Sequence, residues 1–260
     1  MSALLVSTQG PVARITLNRP DVRNAFNDEV IAELAQAFTQ VGQDPQVRAV
    51  VLAADGPAFC AGADLNWMRR MADYTRAENL ADAGALAEML RTIHNCLKPT
   101  IARVQGDVFA GGVGLVAACD MAVSVDTATY CLSEVKLGLI PATISPYVIR
   151  AMGVRAAQRY FLTAERFSAV EAHRNGMVHE VVSADQLDAK VAELTQALVS
   201  ASPNAVRSCK MLVNEVAGRD IDAALIAKTV EGIADIRASA EGKEGVQSFL
   251  QKRKPAWLVG

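Results

Sequence analysis

Three short segments carry residues whose types and spacing suit chemistry. The first, Phe59–Leu65, follows an apolar run, and its small residues let another molecule approach the main chain closely. The second, Phe109–Gly114, places consecutive glycines at a predicted helix start, where the first backbone N–H groups lack partners within the helix. The helix dipole adds about half a positive charge there. The second segment therefore predicts an anion-binding corner, whereas the first is either another outward-facing amide corner or a plain tight turn.

The third segment, Cys131–Pro141, contains an acidic residue, Glu134, between apolar neighbours. Burial disfavours a charged carboxylate, so a buried Glu134 would have a raised pKa and would exchange protons near neutral pH. The alternative is a solvated side chain on an edge strand.

The glycines of the second segment also match a dinucleotide-binding pattern. Gly112, Gly114 and Ala117 have the G-x-G-x-x-A spacing, and Glu134 lies 17 positions after Ala117. A Rossmann unit normally opens its domain with this turn, but here more than a hundred residues precede it. The pattern therefore favours a nicotinamide cofactor only weakly.

Strands and helices that alternate along the chain must position these segments. Two strand-like runs, 3–7 and 12–17, flank turn residues and predict a hairpin, after which Asn27 is suited to cap a helix. Further strands are predicted at 48–53, 100–104 and 121–125, and further helices at 76–96 and 111–119. Mainly helices follow residue 185, so the pattern predicts an α/β fold whose sheet belongs to the first two thirds of the chain.

The composition is that of an ordinary globular protein, since 51% of the 260 residues are hydrophobic and 21% are charged. A formal net charge of −2 gives no chain-wide attraction to nucleic acid or to an anionic membrane. No apolar stretch reaches the roughly 18 residues that a membrane span needs, and the start lacks an export-signal pattern. Five cysteines without disulfide or metal-ligand spacing predict reduced thiols. We therefore expect a soluble cytoplasmic protein without a metal, and with neither nucleic acid nor a membrane as partner.

In this order and spacing, the three segments resemble the enoyl-CoA hydratase/isomerase (crotonase) superfamily. The resemblance runs nearly from end to end and includes Leu17–Pro20, Arg23–Phe26, Gly106–Asp120 and Lys252–Trp257. Three further stretches are similar to the bacterial 3-methylglutaconyl-CoA hydratases of leucine breakdown: Asn66–Ala72, Leu132–Val148 and Phe161–Phe167. The isohexenylglutaconyl-CoA hydratases of acyclic terpene breakdown are not separated from that branch by these residues.

The resemblance implies a fold and an assembly. We expect a crotonase-like α/β spiral core of repeated ββα units over residues 1–190, which binds acyl-CoA, and a helical region over 191–260 that packs between subunits. Members of the superfamily are commonly homotrimers or dimers of trimers. The apolar spacing of the last helices leaves faces to be covered, at Met211, Leu212, Val216, Leu225, Ile226, Val230, Ile233 and Ile236.

The resemblance also implies roles for site residues. A thioester carbonyl is expected between the backbone N–H groups of Ala63 and Gly111, with Glu134 as the catalytic carboxylate. One donor aimed at a developing oxyanion is typically worth about 2.7 to 4 kcal/mol. Coenzyme A is part of the substrate, so no separate cofactor is expected. Residues expected along the coenzyme A site are Arg23, Ala25, Ala61, Asp64 and Leu65, and those expected to shape the acyl pocket are Trp67, Ile144 and Tyr147. An ordinary surface charge is the alternative for Arg23, and core packing is the alternative for Ile144.

One position departs from the family pattern. Gly114 stands where the family motif Gly-Gly-x-Glu-Leu has its first glutamate, so only Glu134 matches the usual pair. A single carboxylate can serve hydration if water activation and proton delivery occur on one face of the substrate, whereas an isomerase needs only one base. The resemblance favours hydration of a branched glutaconyl-CoA. The alternatives are a Δ3,Δ2-enoyl-CoA isomerase and a non-catalytic binder of acyl-CoA or RNA.

A glutaconyl substrate carries a second carboxylate, which needs a polar partner. The candidates are Arg69, Arg70, Lys136, Ser145 and Tyr147. A solvated helix face is the alternative for the two arginines. The stretch 143–147 is bulkier than the glycine-rich stretch that is common at this place in the family, and it is expected to alter the choice of acyl group.

The remaining acids and bases have structural interpretations. Asp120 is predicted to satisfy backbone donors at the end of a helix. The three histidines, His94, His173 and His179, are not clustered in sequence and are predicted to be surface or hydrogen-bonded residues.

Overall fold

A computed structural model describes residues 2–258, which form two compact units that divide between Glu193 and Leu194. The ten strands of the described residues are β1 Leu4–Gln9, β2 Val12–Leu17, β3 Ala49–Ala54, β4 Ala58–Cys60, β5 Thr100–Val104, β6 Asp107–Phe109, β7 Met121–Val125, β8 Thr129–Cys131, β9 Phe167–Ser168 and β10 Glu180–Val182. The ten α-helices of the same residues are α1 Asp28–Gln43, α2 Leu65–Met71, α3 Arg76–His94, α4 Gly111–Ala118, α5 Ser145–Thr163, α6 Ala169–Arg174, α7 Leu187–Ser200, α8 Pro203–Val216, α9 Ala223–Ala238 and α10 Ala240–Leu250. The division lies next to the domain boundary expected at residue 190.

Two sheets of the first unit are built from successive ββα units. One sheet has six strands in the order β1-β2-β3-β5-β7-β10, and the other has four in the order β4-β6-β8-β9. Each ββα unit gives its first strand to the larger sheet and its second strand to the smaller one, as β3 and β4, β5 and β6, and β7 and β8 do. The repeated units therefore bring three short strands side by side.

Apolar periodicity and caps explain why these elements form. Every residue of β3 is buried, as expected for a central parallel strand covered on both faces. Helix α1 begins where the Asn27 side chain accepts a hydrogen bond from the Val30 amide, and its buried face includes Leu34 and Phe38. Helix α4 carries almost no polar side chain and is buried along most of its length.

The strands and helices whose ranges were predicted lie within two residues of these bounds. Strands β2, β5 and β7 occupy the predicted ranges, while β1 extends to Gln9 and α3 ends at His94. The short strands β4, β6 and β8 were not predicted, because three residues are too few for a period to appear. The Asp120 carboxylate accepts from the Thr100 amide and hydroxyl at the start of β5, and its predicted role at the end of α4 stays a prediction.

The second unit contains α8, α9 and α10. Ser202 caps α8, and its hydroxyl and the Asn204 amide both donate to the carboxylate of Glu241. Leu225 is buried, but most of the apolar side chains singled out in the sequence are well exposed in the isolated chain, among them Met211, Leu212, Ile226, Val230 and Ile233. Assembly through these helices stays a prediction. No helix among residues 2–258 is both long and apolar enough to cross a bilayer.

Candidate active site

The three chemical segments follow three neighbouring parallel strands. Strand β4 pairs with β6, and β6 pairs with β8, all in the same direction. Their carboxyl ends, at Cys60, Phe109 and Cys131, therefore lie at one edge of the smaller sheet. Neighbouring strands are about 4.8 Å apart, so the outer two of the three are separated by roughly 10 Å. Ligands of open α/β sheets bind at such an edge.

The first corner surrounds Ala63. The Phe26 amide donates to the Gly62 carbonyl at 2.9 Å, and the Asp64 amide donates to the Phe26 carbonyl at 2.9 Å. Peptide groups alternate in direction along an extended chain, so the Ala63 N–H points away from Phe26. It has no hydrogen-bond acceptor among residues 2–258.

The second corner surrounds Gly111. Ala110 adopts φ 47° and ψ −121°, a strained conformation for a residue with a side chain. This turn lets the Ala110 amide donate to the Cys131 carbonyl at 2.8 Å, while Gly111 begins α4. The Gly111 N–H has no acceptor within the described part of the chain, and it lies at the positive end of the helix dipole.

The two corners touch each other. A Cβ on Gly62 would lie 3.0 Å from the Ala110 Cβ, 3.1 Å from the Phe109 carbonyl oxygen and 3.6 Å from the Gly111 nitrogen. Gly62 also has φ +90°, which side chains disfavour. Glycine at position 62 therefore permits both the turn and the close approach of the two unpaired amides.

Glu134 is the first residue of a 3-10 helix, Glu134–Leu137, just beyond β8. Its side chain is half-buried, and its Oε2 atom is the one buried carboxylate oxygen among residues 2–258 without a hydrogen-bond partner. Burial raises the pKa of Glu134, opposed by a hydrogen bond from its own backbone N–H. An unsatisfied carboxylate with a raised pKa is suited to accept and return a proton. The solvated edge-strand alternative is wrong.

Position 114 has no room for a side chain. A Cβ on Gly114 would lie 2.7 Å from the Ile144 Cβ and closer still to its Cγ2. Ile144 is only 2% exposed, just before α5. It therefore fills the space that the family's first glutamate needs. A Cβ on Gly112 would similarly meet Cys60. Protein atoms thus occupy the approach to both glycines of the dinucleotide pattern.

The residues expected along the coenzyme A site divide into two groups. Arg23 and Leu65 are exposed, Ala61 is partly exposed, and the Ala61 amide donates to the Arg23 carbonyl at 3.0 Å. Ala25 and Asp64 are buried, and the Asp64 carboxylate is occupied by Arg19 and by the first amides of α2. The side chain of Asp64 therefore holds the corner together.

Of the residues expected to shape the acyl pocket, Trp67 and Tyr147 have defined partners. Trp67 is 3% exposed, its indole N–H donates to Asp82 at 2.9 Å, and its ring centroid lies 6.1 Å from that of Phe26. Tyr147 is partly exposed and meets the His94 ring edge-on, with centroids 5.4 Å apart. Burial raises the pKa of Tyr147. Their contact with an acyl group stays a prediction.

The candidates for binding a second carboxylate differ in whether their polar groups already have partners within the protein. Arg70 pairs with Asp28 at 2.6 Å, and the Ser145 hydroxyl donates to the Ala142 carbonyl. Arg69 is exposed and donates to a neutral amide oxygen, that of Asn66. Lys136 is exposed and forms no ion pair with a carboxylate of residues 2–258. Arg69 and Lys136 therefore keep an unneutralised charge.

Two of the histidines are hydrogen-bonded, as predicted. His173 contacts the Val178 carbonyl, and Nδ1 of His179 accepts from the Ala122 amide. Burial lowers the pKa of His179. Within residues 2–258, no three His, Cys, Asp or Glu side chains are grouped so as to hold a metal ion.

The chain is similar to known proteins over nearly its whole length. A family model described as enoyl-CoA hydratase/isomerase matches residues 7–259. An enoyl-CoA hydratase of known structure from Shewanella pealeana is 44% identical, with 98% of this chain and 96% of that one covered and a TM-score of 0.96. One from Mycobacterium smegmatis is 34% identical, with 99% and 100% covered and a TM-score of 0.93. The crotonyl-CoA hydratase of Syntrophomonas wolfei is 31% identical over 98% of this chain and 97% of its own length.

Proposed function

The chain belongs to the enoyl-CoA hydratase/isomerase family, and on this basis we propose that it adds water to the double bond of an α,β-unsaturated acyl-CoA. The expected crotonase fold is confirmed by the close likeness to solved family members. One observation carries the proposal: two unpaired backbone amides in touching corners lie at the same sheet edge as a carboxylate whose Oε2 atom is buried without a hydrogen-bond partner.

In this mechanism the amides of Ala63 and Gly111 donate to the thioester carbonyl oxygen. Glu134 takes a proton from water as the water oxygen attacks the β carbon, and electron density moves onto the carbonyl oxygen to form an enolate. The enolate α carbon then takes the proton from Glu134, and the carbonyl re-forms. The enzyme returns to its starting protonation state, so one carboxylate suffices and both new bonds form on one face.

The substrate we propose is a branched glutaconyl-CoA, such as 3-methylglutaconyl-CoA or isohexenylglutaconyl-CoA. The likeness of three stretches to that branch supports this choice. Arg69 and Lys136 are the proposed partners of the second carboxylate, because their charges are not neutralised by neighbours.

A Δ3,Δ2-enoyl-CoA isomerase is the second candidate. The observation that favours it is the filled space at Gly114, which leaves a single carboxylate. One base that moves a proton between two carbons is enough for isomerisation.

Assembly and location complete the proposal. The exposed apolar faces of α8 and α9 support a homotrimer or a dimer of trimers, since large exposed patches commonly mark interfaces. None of the five cysteines forms a disulfide within residues 2–258, which supports a reducing compartment such as the cytoplasm.

The test is incubation with a panel of unsaturated acyl-CoA esters, followed by product mass and NMR. A hydratase yields a product heavier by one water, whereas an isomerase yields an unchanged mass and a shifted double bond. Glu134→Gln should abolish turnover but retain binding of the ester, while the matched control Glu29→Gln, at an exposed glutamate, should remain active. Because burial raises the pKa of Glu134, the acid limb of kcat/KM should lie above the ordinary glutamate value of about 4.3. Turnover by Glu134→Gln at the wild-type rate would refute the assignment.

A further inference from the structure

The segment Arg19–Phe26, which we call the brace, makes contact with both amide corners. Its sequence matches the family, but the mechanism above gives it no role. The brace turns sharply, with Arg23 and Asn24 both at φ 54°. Asn24 is buried and donates to the Asp55 and Ala58 carbonyls, so the turn is anchored to the loop before β4 and to the first residue of that strand.

Backbone bonds join the brace to the first corner. The carbonyl of Arg23 accepts from the Ala61 amide, and Phe26 is bonded through its amide to Gly62 and through its carbonyl to Asp64, at 2.9 to 3.0 Å. These three bonds lie on both sides of Ala63. They fix the direction of its N–H without using that group.

An ion pair makes a second connection to the same corner. Arg19 donates to Asp64 Oδ2 at 2.8 Å and, through its other terminal nitrogen, to the Ala25 carbonyl. Asp64 Oδ1 accepts from the Asn66 and Trp67 amides at the start of α2. The pair is largely shielded, with side-chain exposures of 25% for Arg19 and 8% for Asp64. Removing one partner therefore leaves a poorly solvated charge.

The second corner rests on the ring of the same brace residue. A Cβ on Gly111 would lie 3.0 Å from Phe26 Cε1 and closer still to its Cζ, so the ring is packed directly against Gly111. Phe26 is 1% exposed, and Trp67 flanks its ring. One residue therefore holds the Ala63 corner by its backbone and the Gly111 corner by its side chain.

We propose that Arg19 and Phe26 are positioning residues that set the spacing between the Ala63 and Gly111 amide donors. The inference rests on the proposed function, since it assumes that both amides bind the thioester carbonyl. Catalytic donors must be held to within about 0.5 Å, and a misplacement of about 1 Å can cost roughly a hundredfold in rate.

The test combines kinetics with infrared spectroscopy. Arg19→Gln and Phe26→Leu are compared with Arg103→Gln, which breaks another two-nitrogen arginine pair of the first unit, the one with Asp188. For Arg19→Gln and Phe26→Leu, kcat should fall roughly 10- to 100-fold, while KM should change by less than about threefold. The carbonyl stretch of a bound ester, ¹³C-labelled at the thioester carbon, should move to lower frequency in wild type and Arg103→Gln. It should move back toward the free value in the two brace variants.

The experiment distinguishes failure of the proposed function from failure of the positioning role. If wild type neither turns over nor shifts the carbonyl band, the proposed function itself fails. If wild type does both and the brace variants match Arg103→Gln in kcat and band position, the positioning role is refuted. Should Arg19→Gln fail to fold, Arg19→Lys supplies the same comparison, because lysine keeps the charge but lacks the planar fork that reaches both Asp64 and Ala25. It should give an intermediate kcat and band position.

Discussion

A single added methyl group at position 114 tests the packing that leaves the site with one carboxylate. In Gly114→Ala the new Cβ would lie 2.7 Å from the Ile144 Cβ, whereas nonbonded carbons rest about 3.5 to 4.0 Å apart. Rotation of the isoleucine side chain moves Cγ2 but leaves Cβ in place. The variant must therefore shift the backbone of α4 or of the residues before α5.

The expected cost follows from two opposing effects. Overpacking a filled core typically costs about 1 to 3 kcal/mol, and the overlap here favours the upper end. Alanine is better than glycine within a helix by roughly 1 kcal/mol. Gly114→Ala should therefore lower the free energy of unfolding by about 2 kcal/mol. Ile144→Ala removes a fully packed side chain and should lower it by about 2 to 5 kcal/mol.

The double variant Gly114→Ala/Ile144→Ala tests whether steric overlap with Ile144 is what destabilises Gly114→Ala. Its added Cβ enters the space that Ile144 vacates, so it should be more stable than the sum of the single variants predicts, by at least about 1 kcal/mol. Urea unfolding of all four proteins at one protein concentration measures this difference. If the two costs add to within about 0.5 kcal/mol, the two residues do not compete for one space and the reasoning is wrong.

Three further predictions concern titration and thiol reactivity. Glu134→Gln should be more stable to urea than wild type at pH 7. Burial raises the pKa of Glu134, so the folded wild type loses stability as the pH rises through that raised value and the buried carboxylate becomes charged, whereas glutamine stays neutral. Near pH 4 the difference in unfolding free energy between the two proteins should disappear. Burial lowers the pKa of His179, so the wild-type melting temperature should fall as the pH drops below the ordinary histidine value of about 6.5, and His179→Asn should reduce that dependence. Burial raises the pKa of the Cys60 thiol to about 12, so mass spectrometry should find it unalkylated by iodoacetamide in the native protein and alkylated in urea.

The parts of the fold with a local signal could be predicted from the sequence. The Asn27 cap and strands β2, β5 and β7 follow from residue types within a few positions of each other. The strands that carry the site, β4, β6 and β8, have three residues each and show no period of their own. They are stabilised by pairing with one another, which no local window reports.

The same distinction applies to the site. The sequence indicated two glycine corners and one acid, because those features are local. The ion pair of Arg19 with Asp64 joins residues 45 positions apart, and the packing of Ile144 against Gly114 is likewise distant in sequence. Neither contact has a sequence signal, although the first explains a family motif and the second explains why a glutamate is absent.

The most direct test of the account is the stereochemistry of water addition in deuterium oxide. An unsaturated acyl-CoA with one hydrogen on its β carbon is hydrated in D₂O, and NMR of the product gives the relative configuration of the new deuterium and the new hydroxyl. In the proposed mechanism Glu134 alone both activates water and returns the proton, so the two groups should be added to the same face. Addition to opposite faces would require a second acid across the substrate and would contradict the single-carboxylate mechanism.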